Sequence, residues 1–459
     1  MLMRLPKILL VLLITGIVWM LVLGWWRAND HQPATGETLF YLIGIPVALF
    51  GGYWLLSRFF DYLRTPTSPT SAAATQRATD VASSEESGPV PNEFFHLLAG
   101  AVAGNNGQTP DSLLAAAKAG QRASIDRSLI DDDGFPVFSC RSEQADSLAS
   151  EMAEDAVGPL AHSRFSEETW RALSLISLAL EELAPQLSSL MNQENSAVKF
   201  QLLWLQPEDW PAVQDSAWKD WILTLLPADL QASDVTFAWQ RVATDTDALA
   251  AVDKAMNAAA MDQLTIVVAG ISHIGEATVR RWQAGGRLFT ANRQSGQVPG
   301  ETAVAMLLAT QDSELANATD SLISVYKTVA DSKSPQNKKK EQTLNALITQ
   351  ATQAAMIDTP DIAAIVADTD HRADPLQELL AATNESFEEL DPVEDCATIG
   401  SACGTTEPFG SLLALLCAAN SAENLQQPVL GISTQHHTSR AVTLVKPVNW
   451  SNQSPQGDS

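Results

Sequence analysis

The sequence predicts an α/β fold built on a buried parallel sheet, and two observations carry that prediction. The stretch 235–270, VTFAWQRVATDTDALAAVDKAMNAAAMDQLTIVVAG, opens with an alternating β-branched and aromatic run and breaks at 243–247. It continues as an Ala-rich helical pattern to Ala260 and closes in the apolar run LTIVVAG. Strand, helix and strand in succession make a βαβ unit, whose parallel strands are covered on both faces. The theme then returns: a strand at 322–329, a Lys-rich turn at 338–340, a helix at 342–355, a strand at 361–367, and a closing hairpin of 429–433 and 441–446. Two successive α/β halves point to an internally duplicated fold.

A chain of 459 residues has room for two or three domains, and 46% apolar content supplies a core. The formal net charge of -26 argues against nucleic acid or an anionic lipid surface as the main partner, because both attract Lys and Arg. The cysteines Cys140, Cys396, Cys403 and Cys417 show no metal-ligand spacing and read as reduced thiols in a cytosolic setting.

Ahead of the globular part stand two apolar runs, 8–26 and 39–56, each near the roughly 20 residues that a helix needs to cross a bilayer. Each has Trp or Tyr at an end, as interfacial segments do. No small-residue cleavage site follows the first, and a second run does follow, which favours a transmembrane hairpin within 1–64 over a signal peptide. Arg4 and Lys7 precede the first run and Arg58 and Arg64 follow the second, so both ends are expected on the cytoplasmic side of a bacterial inner membrane. Residues 65–92, rich in Pro, Ser, Thr and Ala, read as a flexible linker. Two globular halves are expected at 93–310 and 311–447, and a disordered tail at 448–459.

Within the globular part, 93–102 reads as a buried strand. Thr109, Pro110 and Gly120 then cap, open and close a helix. DDDGFPVF at 131–138 lacks the spacing and closing Glu of a calcium loop and reads as a solvated turn. Residues 165–183 place Trp170, Leu173, Ile176, Leu180 and Leu183 at helical spacing. A strand at 198–205 and a helix at 210–226 follow. Trp210, Trp218 and Trp221 could stack bases or sugars, but their spacing is that of a buried helical face. A short helix ends near Gln283, a strand ends the segment 285–309, and helices are expected at 376–382 and 408–419.

These residues resemble a β-ketoacyl synthase of the thiolase superfamily across nearly all of 93–447. The similar stretches are FFHLLAGAVAGNNGQTPDSLLAAAKAGQRASI at 94–125, the 235–270 unit as a nucleophile-bearing helix, and VPGETAVAMLLA at 298–309 for the family's "GEGA" strand. ADTDHRADPLQEL at 367–379 stands where the family has "AHGTGT…GDP", and CATIGSACGTTEPFGSLLALL at 396–416 where it has "KSxxGH…GAxG". GISTQHHTSRAVTLVKP at 431–447 replaces the closing "FGFGGxNaslvlk". The resemblance implies a thiolase-like duplicated α/β/α/β/α layered fold, here preceded by the membrane hairpin. It also implies pairing of two copies through 235–240, whose Thr, Gln and large apolar residues permit a homodimer.

The departures carry the functional expectation. The family's chemistry needs a Cys at a helix N-terminus to form a thioester, assisted by two imidazoles. By position the Cys corresponds to Asp245, the first His to Asp368, the second His to Ser401, and the neighbouring Lys to Cys396 or a residue beside it. A carboxylate does not replace a thiolate in acyl exchange, so a pseudo-ketosynthase without condensing activity is expected. Asp245, Asp247, Asp368, Asp370 and His371, with His436 and His437 from the replaced gating loop, are residue types that hold divalent ions. The plainer reading has Asp245 and Asp247 capping a helix and the histidines exposed on loops. No metal and no cofactor is assigned.

The leading expectation is a membrane-anchored adapter or scaffold that binds another protein. In architecture it is similar to type VI secretion lipase adapters, which implies a secreted lipase effector or a secretion spike component as partner, and no nucleic acid. A second reading keeps the acyl pocket for a fatty chain or an acyl carrier protein, although the carrier is itself acidic. A third is an enzyme with a repurposed Asp/His pocket.

Overall fold

The computed structural model describes residues 93–154, 160, 165–191, 198–210, 215–231, 235–314, 322–332 and 344–450. The expected membrane hairpin, the linker and the Lys-rich turn lie outside these residues. Among the described residues no helix is long and apolar enough to cross a membrane.

Strand β1 (Phe94–Gly104) leads into helix α1 (Pro110–Lys118), capped by Thr109, whose side chain accepts from Ser112 N. Gly120 follows at φ +70°, the left-handed conformation that favours glycine beyond a helix end. The polar stretch after it forms more than a turn. β2 (Ser124–Ile130) and β3 (Pro136–Ser139) pair antiparallel, with Asp131 Oδ1 accepting from the backbone N–H of Asp133 and Phe135 at the bend. Polar residues hide these strands from a hydrophobicity pattern. Buried Asp126 accepts from Ser128, Ser139 and Arg141.

Helix α2 (Glu143–Glu154), unforeseen in the sequence, precedes α3 (Glu167–Met191). The chain continues through β4 (Lys199–Pro207), α4 (Asp215–Thr224), α5 (Ala228–Gln231) and β5 (Val235–Val242). Next come α6 (Asp245–Ala258), β6 (Gln263–Ser272), α7 (Glu276–Ala284) and β7 (Glu301–Thr310). The second half holds β8 (Ile323–Tyr326), β9 (Val329–Ser332), α8 (Leu344–Ala354), β10 (Ala364–Ala367) and α9 (Ala373–Ser386). It ends with β11 (Cys396–Thr398), α10 (Gly400–Cys403), α11 (Gly410–Leu425), β12 (Val429–Ser433) and β13 (Ser439–Pro447).

Strand order runs β11-β10-β12-β13-β8-β1-β7-β6-β4-β5. Leaving β9 aside, each half contributes five strands in the same order: third, second, fourth, fifth, first. The pairing senses match as well. β4 is parallel to β5 and β6, while β6, β7 and β1 run antiparallel in turn. β10 is parallel to β11 and β12, while β12, β13 and β8 run antiparallel. The sheet is therefore mixed rather than wholly parallel as the βαβ unit suggested. The two halves meet through their first strands, β1 and β8.

Side chains alternate across the strands, as the period of two requires. Leu202, Trp204, Ile266 and Val268 join the core under α3, while Leu203, Leu205, Val267 and Ala269 join the core formed with α6 and α11. That central core also takes Val325, Val366, Val429 and Val445 from the second half, whose other face packs on α8 and α9 through Leu347, Leu379 and Leu430. Helix, sheet, helix, sheet, helix is the resulting layering, the α/β arrangement that the sequence predicts. Pro447 is not where order stops. Val448 N donates to Leu322 O and Trp450 packs on the second half's outer core, so the expected tail does not begin at 448.

Candidate functional site

Three segments converge where α6 begins. Thr244 is the N-cap of α6: its hydroxyl accepts from Asp247 N, and the Asp247 carboxylate accepts from Thr244 N, a reciprocal capping box. Asp247 caps as the sequence suggested. Asp245 does not. It is the first helical residue, 0% exposed, and its Oδ1 accepts from Ser411 N at 2.9 Å at the start of α11. Oδ2 is buried without a hydrogen-bond partner.

Asp368 follows β10 directly and is also buried. Its Oδ2 accepts from Ser433 Oγ at 2.6 Å, and its Oδ1 from the backbone N–H of Thr434 (2.7 Å) and Gln435 (3.0 Å) in the loop after β12. Gly410 stands between the two acids. A Cβ there would lie 3.4 Å from Asp245 Oδ1 and 3.4 Å from Asp368 Cβ, so both flank one point that only a missing side chain leaves open.

Ser401 does not complete this group. It sits in α10 and lines a separate cavity of about 330 Å³ with Phe138, Phe289, Val298 and His371. The third member is Glu407, on the loop between α10 and α11, which acts electrostatically on both Asp245 and Asp368. No motif marks Glu407 in the sequence. Burial first, then the neighbouring carboxylates, pushes the Glu407 carboxyl up to about 7, against the opposing pull of Arg372 and Arg287. Asp245 is raised well above the ordinary carboxylate range by burial, with Asp368 and Glu407 adding repulsion. Burial raises Asp368 as well, but its three donors stabilise the charged form. Asp368 is thus the better-solvated carboxylate of the pair.

The remaining candidates are engaged elsewhere. Asp370 is held by Arg372, whose Nε lies 2.8 and 2.9 Å from its two oxygens. His371 packs edge-on against Phe289. His436 Nδ1 accepts from Ser439 N and Oγ, and burial lowers its imidazole to about 4. Of the histidines expected on exposed loops only His437 is exposed, while His371 and His436 are half-buried. Cys396 lies in β11 against Thr383 Oγ1 at 3.7 Å, its thiol pushed up to about 11 by burial. Among the described residues no group of three or more His, Cys, Asp or Glu side chains is arranged to hold a metal ion.

On its other side Glu407 faces a cavity of about 250 Å³ lined also by His273, Trp282, Arg281 and Arg287. His273 Nε2 lies 3.0 Å from the Glu407 carbonyl oxygen, and burial lowers its imidazole to about 4. That ring is neutral at physiological pH and donates to the carbonyl.

No family model matches this chain, and no curated protein sequence matches it. Solved structures do. A ketosynthase from module 6 of the bacillaene synthase of Bacillus subtilis is similar at a TM-score of 0.53 and 10% identity, covering 78% of this chain and 72% of that one. An oxazolomycin ketosynthase domain of Streptomyces albus is similar at 0.53 and 11%, covering 80% and 76%. A ketosynthase from module 1 of the bacillaene synthase of Bacillus amyloliquefaciens gives 0.51 and 11%, covering 80% and 75%. The fold is therefore that of ketosynthases, the thiolase-like arrangement that the sequence resemblance implies. Identity this low carries the fold and nothing of the chemistry.

Proposed function

We propose that this chain is a non-condensing protein on the ketosynthase fold, acting by holding another protein rather than by moving acyl groups. The observation that carries this reading is Asp245. It occupies the place where the resemblance puts the thioester-forming thiol, sealed from solvent and hydrogen-bonded to Ser411. Acyl transfer needs an activated nucleophile that substrate can reach. The four cysteines do not supply one, because all are buried and burial raises each thiol.

The surface we assign to the partner is β5, the last strand of the sheet, whose outer edge is unpaired among the described residues. A bare edge is a template for pairing with another chain, and Trp239 on it is 39% exposed. The finer reading is a membrane-anchored adapter for a secreted lipase effector or a secretion spike component. Its support is the sequence architecture, two apolar runs and a linker ahead of the globular part.

The test uses the full-length chain in detergent. Incubation with a labelled acyl thioester is expected to leave no covalent adduct, and affinity capture from native membranes to return a stoichiometric protein that Trp239→Asp releases. A stoichiometric acyl adduct, or capture indifferent to Trp239→Asp, overturns the reading.

One observation favours a second reading, the binding of an apolar chain: the cavity walled by Phe138, Phe289 and Val298. Native mass spectrometry showing a co-purified lipid, displaced by Phe289→Arg, would select it.

A further inference from the structure

Asp245, Asp368 and Glu407 come from α6, from the end of β10 and from the loop leading into α11. Asp245 and Asp368 join both halves of the duplicated fold at one buried point beside Gly410, and half-buried Glu407 acts on them electrostatically. Neither Asp245 nor Asp368 takes part in an ion pair among the described residues.

The charged groups around them are committed elsewhere. On α6, Asp247 is bound to Thr244. After β10, Asp370 and Arg372 hold each other, and Arg372 also donates to the Gln435 carbonyl. Before β7, Arg287 reaches only the outer carboxyl, Glu407, at 3.9 Å. From the end of β6, His273 meets the Glu407 carbonyl. After β12, His436 is bound to Ser439 and lies near Asp247, the exposed His437 ring lies tilted beside it at 4.6 Å, and Arg440 is paired with Glu378. Among the described residues no cation is paired with Asp245.

A full negative charge on Asp245 would rest on one N–H donor, with Oδ2 unsolvated. A buried charge in that position takes up a proton instead. Asp368, by contrast, has three donors that stabilise its charged form against the burial that raises it.

We infer that Asp245 is a neutral carboxylic acid at neutral pH and that loss of its proton in alkaline solution loosens α11 from α6, a pH-operated latch between the two halves. The direction follows from linkage. A group protonated in the closed form and ionised when solvated favours closure at lower pH and weakens it as pH rises. Opening would bare the apolar face of α11 that carries Leu412 and Leu416.

The experiment is hydrogen exchange of the segment 405–416 in the full-length chain between pH 6 and pH 9, corrected for the exchange rates of an unstructured peptide. In the Glu407→Gln background, which removes the other raised carboxyl of that segment, the protein with Asp245 is expected to lose about tenfold or more of its protection across that range, and Asp245→Asn, which cannot ionise, to hold it. Matching profiles for the two proteins overturn the latch. Infrared difference spectra of the Glu407→Gln protein over the same range are an independent readout, because Glu407 then contributes no carboxyl signal, and they stand even if the Asp245→Asn variant fails to fold. A protonated carboxyl absorption lost as pH rises supports the inference, and its absence at neutral pH sinks it.

Discussion

Ser411 and Asp245 hold each other at two points: Ser411 N donates to Asp245 Oδ1 at 2.9 Å, and Ser411 Oγ donates to the Asp245 backbone carbonyl at 2.9 Å. The residues lie 166 positions apart, at the first turns of α6 and α11. Asp245, through its side chain and its backbone carbonyl, therefore ties the two halves together.

Ser411→Ala deletes the hydroxyl and keeps the N–H bond. The Asp245 carbonyl loses that donor, so a cost of about 1 kcal/mol is expected. Urea unfolding of the full-length chain in detergent measures it as a lowered midpoint with an unchanged slope. No change in midpoint would mean that the contact contributes nothing net.

Glu407 sets a pH dependence whose sign is fixed by its raised carboxyl. The ordinary value of 4.5 moves to about 7 in the fold, so between those limits the folded protein binds more protons than the unfolded chain. Stability from this group is then full below that window and falls as pH rises through it, by at most about 3 kcal/mol. Glu407→Gln is expected to flatten the thermal-stability profile between pH 5 and pH 8. Parallel profiles for wild type and variant would count against a raised Glu407.

The duplication is legible in the sequence because periodicity reports local structure. Both halves close on an antiparallel pair of strands, β6 with β7 and β12 with β13, and runs such as LTIVVAG declare themselves buried. Long-range choices are not legible. Any of Thr244, Asp245 and Asp247 could cap α6, and only Ser411, from the other half, decides that Asp245 turns inward. Ser401 and Glu407 both lie in the 396–416 stretch, yet Ser401 lines a cavity with Phe289 and His371 while Glu407 acts on Asp245 and Asp368. α2 escapes notice because Ala145 and Ala149 alone supply its buried face.

Arg171 and Glu301 form a buried charge pair, with Arg171 Nε 2.8 Å from Oε2 and Ser272 Oγ donating to the same oxygen at 2.8 Å. Their side chains are 2% and 0% exposed. Arg171→Met leaves the Glu301 carboxylate buried without its counter-ion and is expected to destabilise by about 3–5 kcal/mol. Adding Glu301→Gln should restore part of that loss. A double variant no more stable than the single one would show that the charge is not what matters.

Trp204 tests the reading of the tryptophans as core rather than as a stacking platform for a ligand. It is 0% exposed at the centre of a group in which Trp210, Trp218 and Trp221 lie 5.9, 4.9 and 5.7 Å away between ring centroids. Phe165 stacks on Trp218 at 11° and Trp210 at 29°, and Trp218 is 3% exposed, which leaves that ring closed to a base or a sugar. The group fastens α4 to β4 and α3. Trp204→Ala removes the side chain that all three other indoles touch, so a loss of about 3–5 kcal/mol is expected, with weakened near-ultraviolet circular dichroism. Trp204→Phe should recover most of it by refilling the volume. A cost below about 1 kcal/mol for the alanine variant would mean that the neighbouring rings collapse into the space, and that this cluster is not what holds α4 in place.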